Sequence, residues 1–87
     1  MYNLELRGNV DRIFIKLAKK DKVSFEYINK KIKEIMENPY HFKPLRAPMQ
    51  NLRRVHIGNF VLIYSIDENK KTIIIEKYEH HDKVYRT

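Results

Sequence analysis

Midway along this chain the apolar residues pass from a helical to a strand period, and that change constrains its fold more than any other feature. Val10, Ile13, Phe14, Leu17 and Ala18 recur at the spacing of one helical face, and Phe25, Ile28, Ile32, Ile35 and Met36 repeat it. From Leu52 onward the period falls to two, the alternation of a strand with one buried face. A helical period followed by a strand period excludes an all-helical bundle and an all-β barrel. It predicts helices laid on a sheet.

The residues between these runs mark where elements stop. Tyr2-Asn3-Leu4-Glu5-Leu6 alternates like a short strand, Gly8-Asn9 interrupts it, and Asn9 is the expected N-cap of the first helix. Lys19–Lys22 is a short polar connection, so the two helices form an antiparallel hairpin. Asn38-Pro39 ends the second helix, because proline disfavours helical geometry in the residue before it. All three prolines (Pro39, Pro44, Pro48) fall in residues 39–50, which reads as an irregular loop. Gly58-Asn59 between Leu52–Ile57 and Phe60–Ile66 is a hairpin signal. Asp67–Lys70 is a polar turn, and Thr72–Tyr78 carries Ile73-Ile74-Ile75, apolar on both faces as in a central strand. Glu79–Thr87 reads as a polar tail anchored by Val84 and Tyr85. The expectation is an α+β fold in the order β-α-α-β-β-β. A helical hairpin packs on one face of a mainly antiparallel four-stranded sheet, with residues 1–87 as a single domain. One sheet face is then left for function.

Composition narrows the classes. A hydrophobic share of 43% excludes disorder, and 87 residues suffice for one core. No run approaches the ~18–20 apolar residues that cross a bilayer. Met1 to Arg7, broken by Glu5, is not expected to be a signal peptide. The absence of cysteine excludes disulfides and a thiolate zinc site, and fits a reducing cytoplasm. The net charge of +7 is unevenly spread: residues 43–64 hold Lys43, Arg46, Arg53 and Arg54 and no acid. Such a stretch attracts phosphate backbones and acidic proteins alike.

Two groups of residues carry chemistry. On a strand over Leu52–Ile57, Arg53, Val55 and Ile57 face the helices while Arg54 and His56 share the open face. Their ~7 Å separation matches successive phosphates of a single RNA strand. The second group is Glu79-His80-His81-Asp82-Lys83-Val84-Tyr85-Arg86, just past the last strand. Histidine moves protons near neutral pH, and arginine neutralises charge on a pentavalent phosphate. A solvated strand face and a frayed terminus account for the same residues without function. Neighbouring histidines in a strand point to opposite faces, so neither a metal nor a cofactor is expected. With only Gly8 and Gly58, no glycine-rich phosphate loop is possible. Tyr40, Phe42 and Tyr85 stand apart from the core pattern and are candidates for stacking on bases, with core or loop packing the first expectation for Phe42.

Asn38-Pro39, Lys43-Pro44-Leu45, Arg53-Arg54-Val55-His56-Ile57-Gly58-Asn59-Phe60, Ile63-Tyr64-Ser65-Ile66-Asp67 and His80-His81-Asp82-Lys83-Val84-Tyr85-Arg86, in this order, resemble the RelE/ParE toxin superfamily, most nearly archaeal RelE proteins. The resemblance spans essentially the whole chain. It implies a compact fold like that of microbial RNases, and metal-free cleavage of mRNA in the ribosomal A site by 2′-hydroxyl attack. It also implies a RelB-type antitoxin as partner. On this resemblance Arg54, His56, His81 and Tyr85 are the expected catalytic groups. Lys43, Arg46, Arg53, His80, Lys83 and Arg86 are the expected RNA contacts. Two positions depart from the family pattern: Val61 and His81 stand where arginines are usual. Two other functions share this fold: a ParE-like inhibitor of DNA gyrase, which Val61 suits, and an inactive module that only pairs with its antitoxin.

Overall fold

The computed structural model describes residues 1–84. Strand β1 (Asn3–Leu6) leads into helices α1 (Gly8–Lys20) and α2 (Lys22–Glu37). Strands β2 (Leu52–Ile57), β3 (Phe60–Asp67) and β4 (Thr72–His80) follow, and a single turn of helix, α3 (His81–Val84), comes after them. The sheet order is β1-β4-β3-β2, with β1 parallel to β4 and the other pairs antiparallel. The α+β architecture and the uncovered sheet face are therefore as expected.

Local boundaries differ in ways that chemistry explains. Helix α1 starts two residues early: Arg7, extended at φ −63° and ψ 151°, occupies the cap position without a side-chain bond, and Asn9 lies inside the first turn. The polar connection between the helices shrinks to Asp21, whose carboxylate accepts from the Ser24 backbone N–H at 3.1 Å and its hydroxyl at 2.7 Å. The tail expected from Glu79 is shorter, because β4 runs on through His80 and α3 follows at once.

Val10 and Phe14 of α1 and Ile28, Ile32 and Ile35 of α2 bury against Val55, Leu62, Tyr64, Ile73, Ile75 and Tyr78 of the sheet. Each such side chain contributes ~1.5–3 kcal/mol by leaving water. Phe14 meets Tyr78 edge-on, with centroids 5.7 Å apart. Inside this layer the Tyr64 hydroxyl donates to the Pro39 carbonyl at 2.5 Å, and burial pushes its phenol up to about 12. Arg53, on the same face, donates to the carbonyl of Phe42 at 2.6 Å. These two bonds hold the start of loop 39–50. The Leu45 N–H then donates to Leu52 O at 2.8 Å, and the Arg54 N–H donates to Lys43 O at 3.3 Å, so the loop lies along the outer margin of β2.

Strand β4 is not regular. Between the pairs Ile63↔Lys77 and Tyr64↔Ile75 the register shifts by one residue, a bulge at Glu76. Ile75 and Tyr78 both reach the core across it, which turns Glu76 and Lys77 toward the open face. That face is not bare: Val61 and Ile63, at 0% and 4% exposure, form an apolar floor outside the helix-side core. Among the described residues no helix is long and apolar enough to cross a membrane.

Candidate active site

Residues directly opposite in an antiparallel ladder share a face. The pairings therefore define two rows on the open side: His56, Val61 and Glu79, then Arg54, Ile63 and Lys77. The apolar member of each row lies in the middle strand and the polar members flank it. Beyond the bulge, Glu76 accepts from Arg7 Nε at 2.9 Å and from Ser65 Oγ at 2.7 Å. Burial pushes the Glu76 carboxyl up, but the bonds from Arg7 and Ser65 outweigh it and hold it below its ordinary range. This carboxylate is thereby matched within the sheet, and the margin along β2 keeps its positive character.

The Gly58-Asn59 turn positions the last component. Gly58 takes φ +60°, the left-handed value that glycine adopts without a Cβ clash, as the first central residue of a type II′ turn requires. The His81 N–H donates to the Asn59 carbonyl at 2.8 Å, which pins the start of α3 to the turn. The His81 imidazole thereby comes to rest 5.6 Å from that of His56, with the rings tilted by 35°. Both histidines are exposed. Arg54 follows two residues from His56 on the same strand face, ~7 Å along it.

His80 and His81 do point apart. His80 meets Phe60 edge-on at 5.4 Å and, with Lys83, lines a groove of about 510 Å³ floored by Ile13, Leu17, Phe60 and Tyr78. Asp82 stands between the two rings. Its backbone N–H donates to His80 Nδ1 at 3.3 Å, and its carboxylate oxygens lie 3.8 Å from Nδ1 of each histidine.

The structure thus brings together Arg54, His56 and His81, with Lys43 beside Arg54 through its carbonyl. Arg46 lies farther along the loop, where its carbonyl accepts from the Met49 N–H at 2.9 Å. Arg53 faces the helix side, and His80 and Lys83 occupy the groove flank. Tyr85 and Arg86 lie outside the described residues. Tyr40 is engaged at the opposite end of the sheet: its hydroxyl and that of Tyr2 donate to Glu68, and Lys71 Nζ lies 2.8 Å from the same carboxylate. Those bonds hold the Glu68 carboxyl down at about 2, and the bond to Glu68 pushes the Tyr40 phenol up to about 12. Phe42 packs against the core.

Sequence reasoning missed two features, the closeness of the Asp82 carboxylate to both imidazoles and the outward turn of Lys77. The second had a visible signal, since the apolar spacing from Ile75 to Tyr78 is three rather than two. The assembled groups suit proton transfer at a phosphodiester. Two imidazoles within reach of one substrate supply a base and an acid, and a guanidinium supplies positive charge.

Known proteins share both sequence and fold with this chain. The family model for the ParE toxin of type II toxin–antitoxin systems (parDE) matches residues 6–85. A protein of Methanosarcina mazei is 51% identical over 86 residues, covering 98% of this chain and 100% of its own. A Methanocaldococcus jannaschii protein named for the RelE toxins, RelE4, is 45% identical over 87 residues, covering 99% of this chain and 93% of its own. A chain of the intact Escherichia coli RelBE toxin–antitoxin complex superposes with a TM-score of 0.75 at 17% identity, over 92% of this chain and 96% of that one.

Proposed function

Because this chain belongs to the ParE toxin family of type II toxin–antitoxin systems, within the RelE/ParE superfamily, we propose that it is a ribosome-dependent endoribonuclease held in check by a RelB-like antitoxin. Residues 1–87 act as one toxin domain in the cytoplasm, on mRNA in the A site. The observation that carries the reading is the approach of His81 to His56, 5.6 Å apart, on the strand face that also holds Arg54.

The chemistry needs no group beyond the RNA and these side chains. One imidazole takes the proton of the 2′-hydroxyl, the resulting oxygen attacks the adjacent phosphorus, and the 5′-oxygen leaves with a proton from the other imidazole. Arg54 offsets charge on the phosphoryl oxygens, with Tyr85 as the further catalytic group. Lys43 and Arg46 track the backbone, and Arg53, His80, Lys83 and Arg86 add charge around it. The antitoxin reading draws on the E. coli RelBE complex, which shares the fold, and on the net charge of +7, which favours an acidic partner.

The test is expression of the chain without its antitoxin, followed by mapping of mRNA 5′ ends on translating ribosomes. Codon-phased cuts are expected, and Arg54→Ala combined with His81→Ala should abolish them. A double variant that cuts like wild type would remove this site from consideration. A gyrase-directed toxin is the second reading, favoured by the fully buried Val61 in place of a cation. Arrested cells with intact mRNA and blocked DNA supercoiling would select it.

A further inference from the structure

We propose that Lys77 is an RNA-binding residue of the open face, holding a backbone phosphate one or two nucleotides from the cut and carrying the substrate strand across the sheet from β2 to β4. The substrate is taken from the nuclease reading, on which the proposal rests. The β4 bulge sets the position of Lys77. In an unbroken strand Ile73, Ile75 and Lys77 would share the helix side. The register shift at Glu76 puts Tyr78 into the core instead and leaves Lys77 exposed on the other face, directly across Ile63 from Arg54. Bulges beside active sites re-aim side chains in this way. On the outer side of β2 the loop places Lys43 opposite Arg54, so one row crosses the sheet from Lys43 through Arg54 and Ile63 to Lys77.

The charge of Lys77 is uncommitted. Its side chain makes no hydrogen bond, ion pair or ring contact among the described residues, whereas Arg54, His56 and His81 all have partners within the protein. Glu76, the acid beside it, is already matched by Arg7 Nε at 2.9 Å and Ser65 Oγ at 2.7 Å. Glu79 shares the face two residues on, and among the described residues no ion pair joins it to Lys77. Two strand spacings separate Lys77 from Arg54, ~10 Å, which is more than one step and less than two of an RNA backbone with phosphates ~7 Å apart. Val61 and Ile63, on the strand between them, are 0% and 4% exposed. The row therefore offers charge with almost no apolar surface, which suits a chain of phosphates. A protein partner would need an apolar or aromatic anchor, and this row offers it no pocket.

The test is a salt titration of binding to a fully 2′-O-methylated single-stranded RNA, which 2′-hydroxyl attack cannot cut, followed by fluorescence anisotropy with the full-length chain. Lys77→Met keeps the stem and removes the charge. Lys33→Met removes one charge from an exposed position of α2 and is the control. In Lys77→Met the slope of log Kd against log salt should fall by ~0.7, the value of one phosphate contact on a single strand. Carried from ~1 M to ~0.1 M salt, that slope is a ~5-fold rise in Kd. Lys77→Arg should keep the wild-type slope, and so should Lys33→Met. Replacing single phosphates by uncharged methylphosphonates locates the contact: one replacement should cost wild type ~5-fold and cost Lys77→Met nothing further. On translating ribosomes Lys77→Met should raise KM with kcat unchanged, since the contact lies away from the cut. If Lys77→Met binds like Lys33→Met, or if its loss adds to that of every methylphosphonate, the proposal is overturned whether or not the chain cuts mRNA. Lost antitoxin binding with an unchanged RNA slope would assign Lys77 to the protein partner and overturn it too. If Lys77→Met loses the slope but wild type makes no codon-phased cuts, the nuclease reading fails and the phosphate contact stands.

Discussion

Replacing Tyr64 by phenylalanine tests how the core holds the loop beside the site. Tyr64 is fully buried, and its hydroxyl donates at 2.5 Å to the carbonyl of Pro39, itself buried. The ring stays in Tyr64→Phe, so apolar burial is conserved and the change isolates one hydrogen bond. Leaving a buried carbonyl without its donor costs ~1–3 kcal/mol. For a chain of this size that lowers Tm by roughly 4–8 °C per kcal/mol. Urea melts should show a lower midpoint with an unchanged m-value. The same phenol has an alkaline signature. Its pKa is raised from 10.0 to about 12 in the fold, so the folded state binds its proton more tightly than the unfolded one. Stability from this group is complete below pH 10, and is lost as pH rises through about 12. Wild type should therefore weaken between these limits by an increment that Tyr64→Phe lacks. A variant within ~0.5 kcal/mol of wild type at neutral pH, or with the same alkaline slope, would refute the claim that this bond anchors the loop.

Arg54→Ala and His56→Ala should each reduce cleavage on ribosomes by ~10²–10³-fold, with the unfolding free energy from urea melts changed by no more than ~1 kcal/mol, since neither side chain belongs to the buried core. Glu68→Gln should abolish part of the acid sensitivity of folding. Lys71, Tyr40 and Tyr2 hold that carboxyl down at about 2 against an ordinary 4.5, so its stabilisation is present above 4.5 and fades as pH falls toward 2. Acid titrations followed by circular dichroism should show a shallower limb in the variant, and an unchanged limb would contradict the network. Gly58→Ala meets no atom within 4 Å of the new Cβ, so its cost is the φ of +60° alone, ~1–2 kcal/mol. It should also weaken cleavage through the Asn59–His81 bond, measured as a fall in kcat at constant KM.

The helical half was legible because its signal is local. Val10 and Phe14, and Ile28, Ile32 and Ile35, bury as their spacing requires. The hairpin at Gly58-Asn59 was equally plain, and with it the shared face of Arg54 and His56. What sequence does not carry is partnership across distance. Nothing near Leu4 says that β1 pairs in parallel with β4, 69 residues farther at Ile73. The meeting of His81 with His56 depends on a bond from His81 to Asn59, which no periodicity encodes. Arg53 and Arg54 have the same chemistry and adjacent numbers. Strand alternation gives one to the fold's interior, where it binds the Phe42 carbonyl, and the other to the open face.

Loop 39–50 has an effect on assembly as well. By laying Lys43 to Leu45 against Leu52 to Arg54, with Pro44 bridging to Arg53, it covers the first half of that margin of the sheet against a strand from another molecule. The opposite margin, β1, offers only four residues, and Glu5 carries a charge there. A short charged border of this kind resists edge-to-edge polymerisation, so the protein can accumulate without fibrillar growth while its working surface stays accessible.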